Sequence, residues 1–253
     1  MSAIRHLLTP VFAATLALAA ACSEQKPQAS NFTPVPVTPV LGDVPMGDPN
    51  APVTVVEYAA LTCHVCRDFA KQVFPRLKST YIDTGKVKYI YRDFPLEYDP
   101  ATGKATDGFG VLLSSVARCK GADKFHEAVD AMFTAQADLL DAARTGAAGP
   151  VIARVADGLG LTREETRTCI DFQPELNASI KASRDEGAAR GVGGTPTLFV
   201  NDEKLETNAT WENLSAAIEA KLTGAPAAPA APASAPATPA SAPGATPPAS
   251  PPT

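Results

Sequence analysis

The sequence predicts an α/β domain whose sheet is interrupted by an all-helical insertion, and three features predict it. A β-branched run, APVTVVEYAAL at 51–61, leads straight into a helical period and then into a second strand-like run, VKYIYRDFPL at 87–96. From about 101 to 190 the chain turns Ala-rich and Gly-punctuated, with helical spacing and no convincing strand. TPTLFVN at 195–201 then restores the strand pattern.

Both ends of the chain fall outside that domain. Residues 1–21 read as a signal peptide, because Arg5 precedes an apolar stretch, Leu7 to Ala21, that is shorter than the ~20 residues of a membrane span. Cys22 follows Ala19-Ala20-Ala21. It reads either as the acylated first residue of a bacterial lipoprotein, with Ala19 where Leu is preferred, or as an idle thiol. Residues 22–45 read as a Pro-rich linker, and 223–253 as a disordered Ala/Pro-rich tail with too little apolar surface to offset the entropy of folding. The domain is therefore expected over 46–222.

Within it, the first strand carries the LTCHVC stretch at its carboxyl end. Val65, Phe69, Val73 and Leu77 recur every four residues, so an amphipathic helix follows that Pro75 should kink. The second strand completes a βαβ unit, whose strands are expected to be parallel. Four or five helices are expected in the insertion, bounded by Gly121, the TGAAGP turn at 145–150, Gly160 and Pro174. The strand at 195–201 turns across NDEK into Lys204-Leu205-Glu206, and Thr210 can cap a last helix with Trp211, Leu214, Ile218 and Leu222 on it.

The net charge of −5 and pI near 5.3 leave no basic stripe, which excludes nucleic acid as the partner class. A secretory start places the five cysteines in an oxidising compartment, where free thiols are exceptional.

Cys63 and Cys66 lie where a helix begins, and C-x-x-C by itself fits zinc, haem or redox chemistry. Its context resembles the DsbA-like family, a thioredoxin-like fold with an inserted all-helical subdomain. The resemblance runs through GDPNAPVTVVEYAALTCHVC, YRDFPL, RCKGADKFHEAVDAMF and GVGGTPTLFVN. It implies thiol–disulfide exchange, with Cys63 as nucleophile and Cys66 as resolving cysteine, and no cofactor or metal. Thr62 is a candidate N-cap, placing Cys63 where the helix terminus favours a thiolate.

His64 and Val65 depart from the family's usual Pro-His pair, since the imidazole sits one residue earlier. His64 is a candidate for tuning the thiolate, or a solvated side chain. Thr195-Pro196 matches the family's cis-proline substrate segment; the alternative is a trans proline opening a strand. Glu57 falls on the face of Val53 and Val55, as a proton relay for Cys66 or as a paired structural acid. Cys119 and Cys169 are expected to bond to each other across two helices, as cysteines at comparable places of related members imply, or to stay as buried thiols. His126 reads as a helix-face packing residue.

The resemblance implies a monomeric periplasmic oxidase, lipid-anchored through Cys22, that gives its disulfide to reduced, unfolded secreted proteins and is recharged by a DsbB-like membrane oxidase. An isomerase or reductase of the same fold, served by a membrane reductant, is the alternative within the class. A zinc or copper chaperone built on Cys63, Cys66 and His64 is the alternative from another class.

Overall fold

The computed structural model describes residues 32–96, 108–171, 173–206 and 208–224. The expected signal peptide, Cys22, the tail from 225 onward and the insertion's first residues, 101–107, lie outside the described residues. From Pro34 on the chain forms one unit.

Among the described residues five strands make one mixed sheet in the order β1-β3-β2-β4-β5. β2 (Val53–Ala59) is central, parallel to β3 (Val87–Asp93) and antiparallel to β4 (Thr197–Val200). β1 (Pro45–Met46) and β5 (Glu203–Lys204) are short antiparallel edges. Burial on both faces explains why β2 reads as a nearly unbroken apolar run. The β4–β5 turn uses Asn201 and Asp202 at φ 48° and 66°, a left-handed conformation that these short polar residues tolerate. That two-residue turn starts β5 one residue earlier than the sequence suggests.

After β2 the chain forms α1 (His64–Gln72), α2 (Phe74–Leu77) and a π-helical turn over Lys78–Ile82. The expected kink at Pro75 is a break: α1 ends and α2 restarts with Pro75 in its first turn, where the missing N–H costs nothing. Among the described residues five insertion helices follow, α3 (Phe109–Arg118), α4 (Ala122–Arg144), α5 (Ala148–Gly158), α6 (Arg163–Asp171) and α7 (Pro174–Ala189). The last helix, α8 (Trp211–Gly224), begins with Thr210 Oγ1 accepting from Asn213 N at 3.3 Å.

The main core lies on the sheet face of Val53, Val55, Val87 and Tyr89, against Phe69, Leu77, Phe125, Met132, Leu214 and Ile218. On the other face Val56, Tyr58, Ile90, Phe94 and Phe199 pack together. α7 approaches this second face closely enough that a Cβ on Gly187 would sit 2.8 Å from the Tyr58 ring and 2.9 Å from Phe94, so only glycine fits there. A buried ion pair, Arg118 Nε to Asp93 Oδ2 at 2.7 Å, ties the end of β3 to α3.

The stretch at 35–45, read from its composition as linker, is docked. Val35 N donates to Thr168 Oγ1, Val40 N to Arg118 O, and Gly42 N to Ser179 Oγ. Arg92 donates to Asp43 from Nε and Nη2, and His126 Nε2 lies 2.8 Å from Val44 O. Prolines limit the unfolded conformations of this strap, and its free N–H groups find partners on the helices. Among the described residues no helix is long and apolar enough to cross a membrane.

Candidate active site

Cys63 and Cys66 are free thiols at the start of α1, both buried. The N-cap is Cys63 and not Thr62: its backbone is extended, with φ −84° and ψ 119°, and its sulfur accepts from Cys66 N at 3.3 Å. A tight turn, Cys63 N to Ala60 O at 3.0 Å, places Cys63 at the capping position one residue later than side-chain preference suggests. The cap atom is therefore the Cys63 sulfur itself.

The Thr195–Pro196 bond is cis, and the Cys63 thiol lies 3.3 Å from Thr195 O. The Cys63 pKa is lowered to about 5, chiefly because the Cys66 thiol donates to its sulfur. The Thr195 side chain and the backbone N–H groups of Cys66 and Val65 add to this, against the opposing effect of burial. Cys66 goes the other way. Burial pushes its thiol far above the usual range, reinforced by its bond to Cys63 and by the charge of Glu57. One sulfur is thus poised as an anion and its neighbour holds its proton.

Glu57 faces the core from β2 beside Val53 and Val55, 2 % exposed. Burial pushes its carboxyl up to about 8, against the lowering effect of a 2.5 Å hydrogen bond that Tyr89 donates to Oε2. Its other oxygen, Oε1, is buried with no hydrogen-bond partner, as is the hydroxyl of Tyr91, its register neighbour on β3. Gln136 on α4 is fully buried and donates from Nε2 to Leu61 O at 2.8 Å and Cys63 O at 2.9 Å.

The structure brings Cys63, Cys66, Glu57, Thr195 and Pro196 together. His64 and Val65 are exposed on the first turn, Val65 at 46 %, and no hydrogen bond joins His64 to either sulfur. Cys119, at the end of α3, and Cys169, on α6, form a disulfide in the helical layer. His126 packs against the rings of Phe125 and Tyr89. Among the described residues no group of three or more His, Cys, Asp or Glu side chains could hold a metal ion.

Two residues at the site, Tyr89 and Gln136, are missing from the sequence reading. Tyr89, the register partner of Val55, was legible as a β3 position on the same sheet face as Val55 and Glu57. Gln136 was legible as a polar residue on the buried stripe of Phe125, Val129, Met132 and Leu139. A groove of about 790 Å³ leads away from the cysteines past Val65, Phe69, Thr195 and Pro196 to Arg76 and Trp211. The guanidinium of Arg76 lies 4.3 Å over the Trp211 ring. This arrangement can exchange a disulfide with an extended thiol-bearing chain laid against the Pro196 segment.

Comparison with known proteins agrees. The family model described as Thioredoxin matches residues 40–220. A Rickettsia bellii (strain RML369-C) protein named as a protein-disulfide oxidoreductase is 29% identical over 196 residues, covering 78% of this chain and 70% of its own. Disulfide bond formation protein D of Bacillus subtilis (strain 168) is 24% identical over 185 residues, covering 73% and 79%. The crystal structure of Wolbachia pipientis alpha-DsbA1 superposes with a TM-score of 0.62 at 25% identity, covering 73% of this chain and 93% of that one. The chain belongs to the thioredoxin family and, within it, to the DsbA-like thiol:disulfide oxidoreductases, an α/β fold with an inserted helical layer.

Proposed function

We propose that the chain works as an oxidase: exported to the periplasm, held at a membrane through a lipid on Cys22, and introducing disulfides into reduced secreted proteins as a monomer. The observation that carries this reading is the opposed state of the two sulfurs, with Cys63 lowered to about 5 and Cys66 held protonated. Stabilising the Cys63 thiolate stabilises only the reduced protein, so each unit of lowering makes the disulfide more oxidising by about 1.4 kcal/mol, or roughly 30 mV.

In the oxidising direction a substrate thiolate attacks Cys63 of the Cys63–Cys66 disulfide, and the electron pair of the broken bond leaves on Cys66. Glu57, protonated below about 8, supplies the proton that Cys66 takes up. A second substrate thiolate then attacks the substrate sulfur of the mixed disulfide, and Cys63 departs as a stable thiolate. The substrate loses two electrons and the protein gains them, so a DsbB-like membrane oxidase must remove them. The Thr195–Pro196 segment offers the backbone along which an extended substrate would lie.

The test uses stoichiometric oxidised protein and a reduced, unfolded protein substrate. We expect full transfer of the disulfide and none with Cys63→Ser; reduced Cys66→Ser given a disulfide-bonded substrate should stop at a trapped mixed disulfide, because Cys63 displaces one substrate sulfur and no second protein thiol remains to release the other. Normal turnover by Cys66→Ser would overturn the assignment of roles. Reshuffling of a scrambled substrate with no net oxidation of the reduced one would make the protein an isomerase instead.

A further inference from the structure

We propose that Gln136, carried by the inserted helical layer, is a positioning residue for the Cys63 thiol. The inference rests on Cys63 being the attacking sulfur and goes beyond it, because it gives the insertion a direct part in setting that sulfur's reactivity.

The amide lies fully buried on α4 and reaches across to the turn between β2 and α1. Its two bonds, to Leu61 O and Cys63 O, end on acceptors, so only the NH₂ group can make them and the orientation of the amide is fixed. Those carbonyls belong to the peptide planes on either side of Thr62 and Cys63. The second also accepts the helical bond from Arg67 N at 3.2 Å. Holding both planes fixes the extended backbone of Cys63, and that backbone aims its sulfur at Cys66 N, 3.3 Å away. The first turn of α1 and the sulfur it stabilises are thus clamped from a different layer of the fold.

The clamp has a cost. Gln136 Oε1 is buried with no hydrogen-bond partner, and an unsatisfied buried acceptor of this kind costs about 1–3 kcal/mol. Leucine at this position would pack on the stripe of Val129, Met132 and Leu139 without that penalty. It would also strip the donor from two carbonyls beside the catalytic sulfur.

Three variants of the full chain test this: Gln136→Leu, Gln136→Glu, and Leu139→Ala as a cavity control on the same helix. The Cys63 pKa is read from thiolate absorbance against pH, the redox equilibrium is read against glutathione, and melting is followed for each. Gln136→Leu is expected to raise the Cys63 pKa by about one unit and to shift the equilibrium about tenfold toward the oxidised protein. Gln136→Glu should exceed it, because a carboxylate there repels both the carbonyls and the thiolate. Leu139→Ala should lower melting and move neither quantity.

If Gln136→Leu melts lower yet keeps the wild-type pKa and equilibrium, Gln136 is only structural and the proposal is overturned. Should Gln136→Leu fail to fold, Gln136→Asn is read in its place. Its shorter amide cannot span both carbonyls, so it must show the same upward shift or the proposal falls. Full exchange activity in Cys63→Ser would instead overturn the assignment of the nucleophile, a separate failure.

Discussion

Tyr89 on β3 donates a 2.5 Å hydrogen bond to Glu57 on β2, and both side chains lie in the core below the cysteine pair. The bond favours the charged carboxylate, so it opposes the burial that raises the Glu57 pKa. Tyr89→Phe keeps the ring and removes only the donor. Its Glu57 pKa should climb above about 8 by roughly one to two units, since hydrogen bonds to charged groups contribute about 1.5–3 kcal/mol. Cys66 must lose its proton whenever it resolves a mixed disulfide, so the rate of that step should rise with pH through a higher midpoint in the variant. A midpoint unchanged from wild type would remove Glu57 from the proton path.

The same groups set how stability depends on pH, with opposite signs. Glu57 has a folded pKa raised from 4.5 to about 8, so its contribution is fully present below pH 4.5 and is lost as pH rises toward 8. Cys63 is depressed from 9.0 to about 5, so its contribution is present above pH 9 and is lost as pH falls through 5. Between pH 5 and 8 the two slopes oppose each other in the reduced protein, which should show little net change from this pair. In the disulfide form Cys63 does not titrate, and burial still raises Glu57. Oxidised protein should therefore lose stability over that range, at up to about 1.4 kcal/mol for each pH unit. Glu57→Gln should flatten the oxidised curve. Denaturant unfolding of both redox forms at pH 5, 6.5 and 8 measures it.

Cys119 and Cys169 close a loop of 50 residues within the helical layer, joining α3 to α6. In the chain-entropy treatment such a loop contributes about 4 kcal/mol to stability. The double replacement Cys119→Ser, Cys169→Ser should lower the melting temperature by many degrees yet leave the rate of disulfide transfer within about twofold. The strap at 35–44 should also become easier to cleave by protease, because two of its anchors, Arg118 and Thr168, directly precede these cysteines. Lost activity with unchanged melting would make the pair a second electron relay.

The alternation of 53–59 and 87–93 and the four-residue period from Val65 were enough to place the cysteine pair on a helix after a central strand. Glu57 was legible for the same reason, as a charge on an otherwise apolar strand face. The strap was not, because Pro34, Pro36 and Pro39 look like linker until Arg118 and Thr168, more than 70 residues away, supply hydrogen bonds. The N-cap was misplaced because intrinsic preference favours Thr62, whereas the turn closed by Cys63 N on Ala60 O decides which residue starts the helix. Gln136 shows the same limit. Helical spacing put it on the buried stripe, but only the tertiary fold sets that stripe against the active-site turn.

His64 separates two sources of thiolate stabilisation. The imidazole stands beside Cys63 in the chain, and if it acted on the sulfur His64→Ala would raise the Cys63 pKa and make the disulfide less oxidising together, by about 30 mV per unit. In the folded protein His64 is exposed, while the sulfur is served from inside by the Cys66 thiol, Thr195 and the backbone N–H groups of Cys66 and Val65. An exposed charge is screened by solvent and salt, so its effect on a buried sulfur is small. We expect His64→Ala to move the pKa by less than about half a unit, well below the effect of Gln136→Leu, and any residual shift to shrink further at ~1 M salt. A shift of a full unit or more that survives high salt would place the imidazole in direct contact with the thiolate, and would move the source of oxidising power from the buried clamp to the exposed turn.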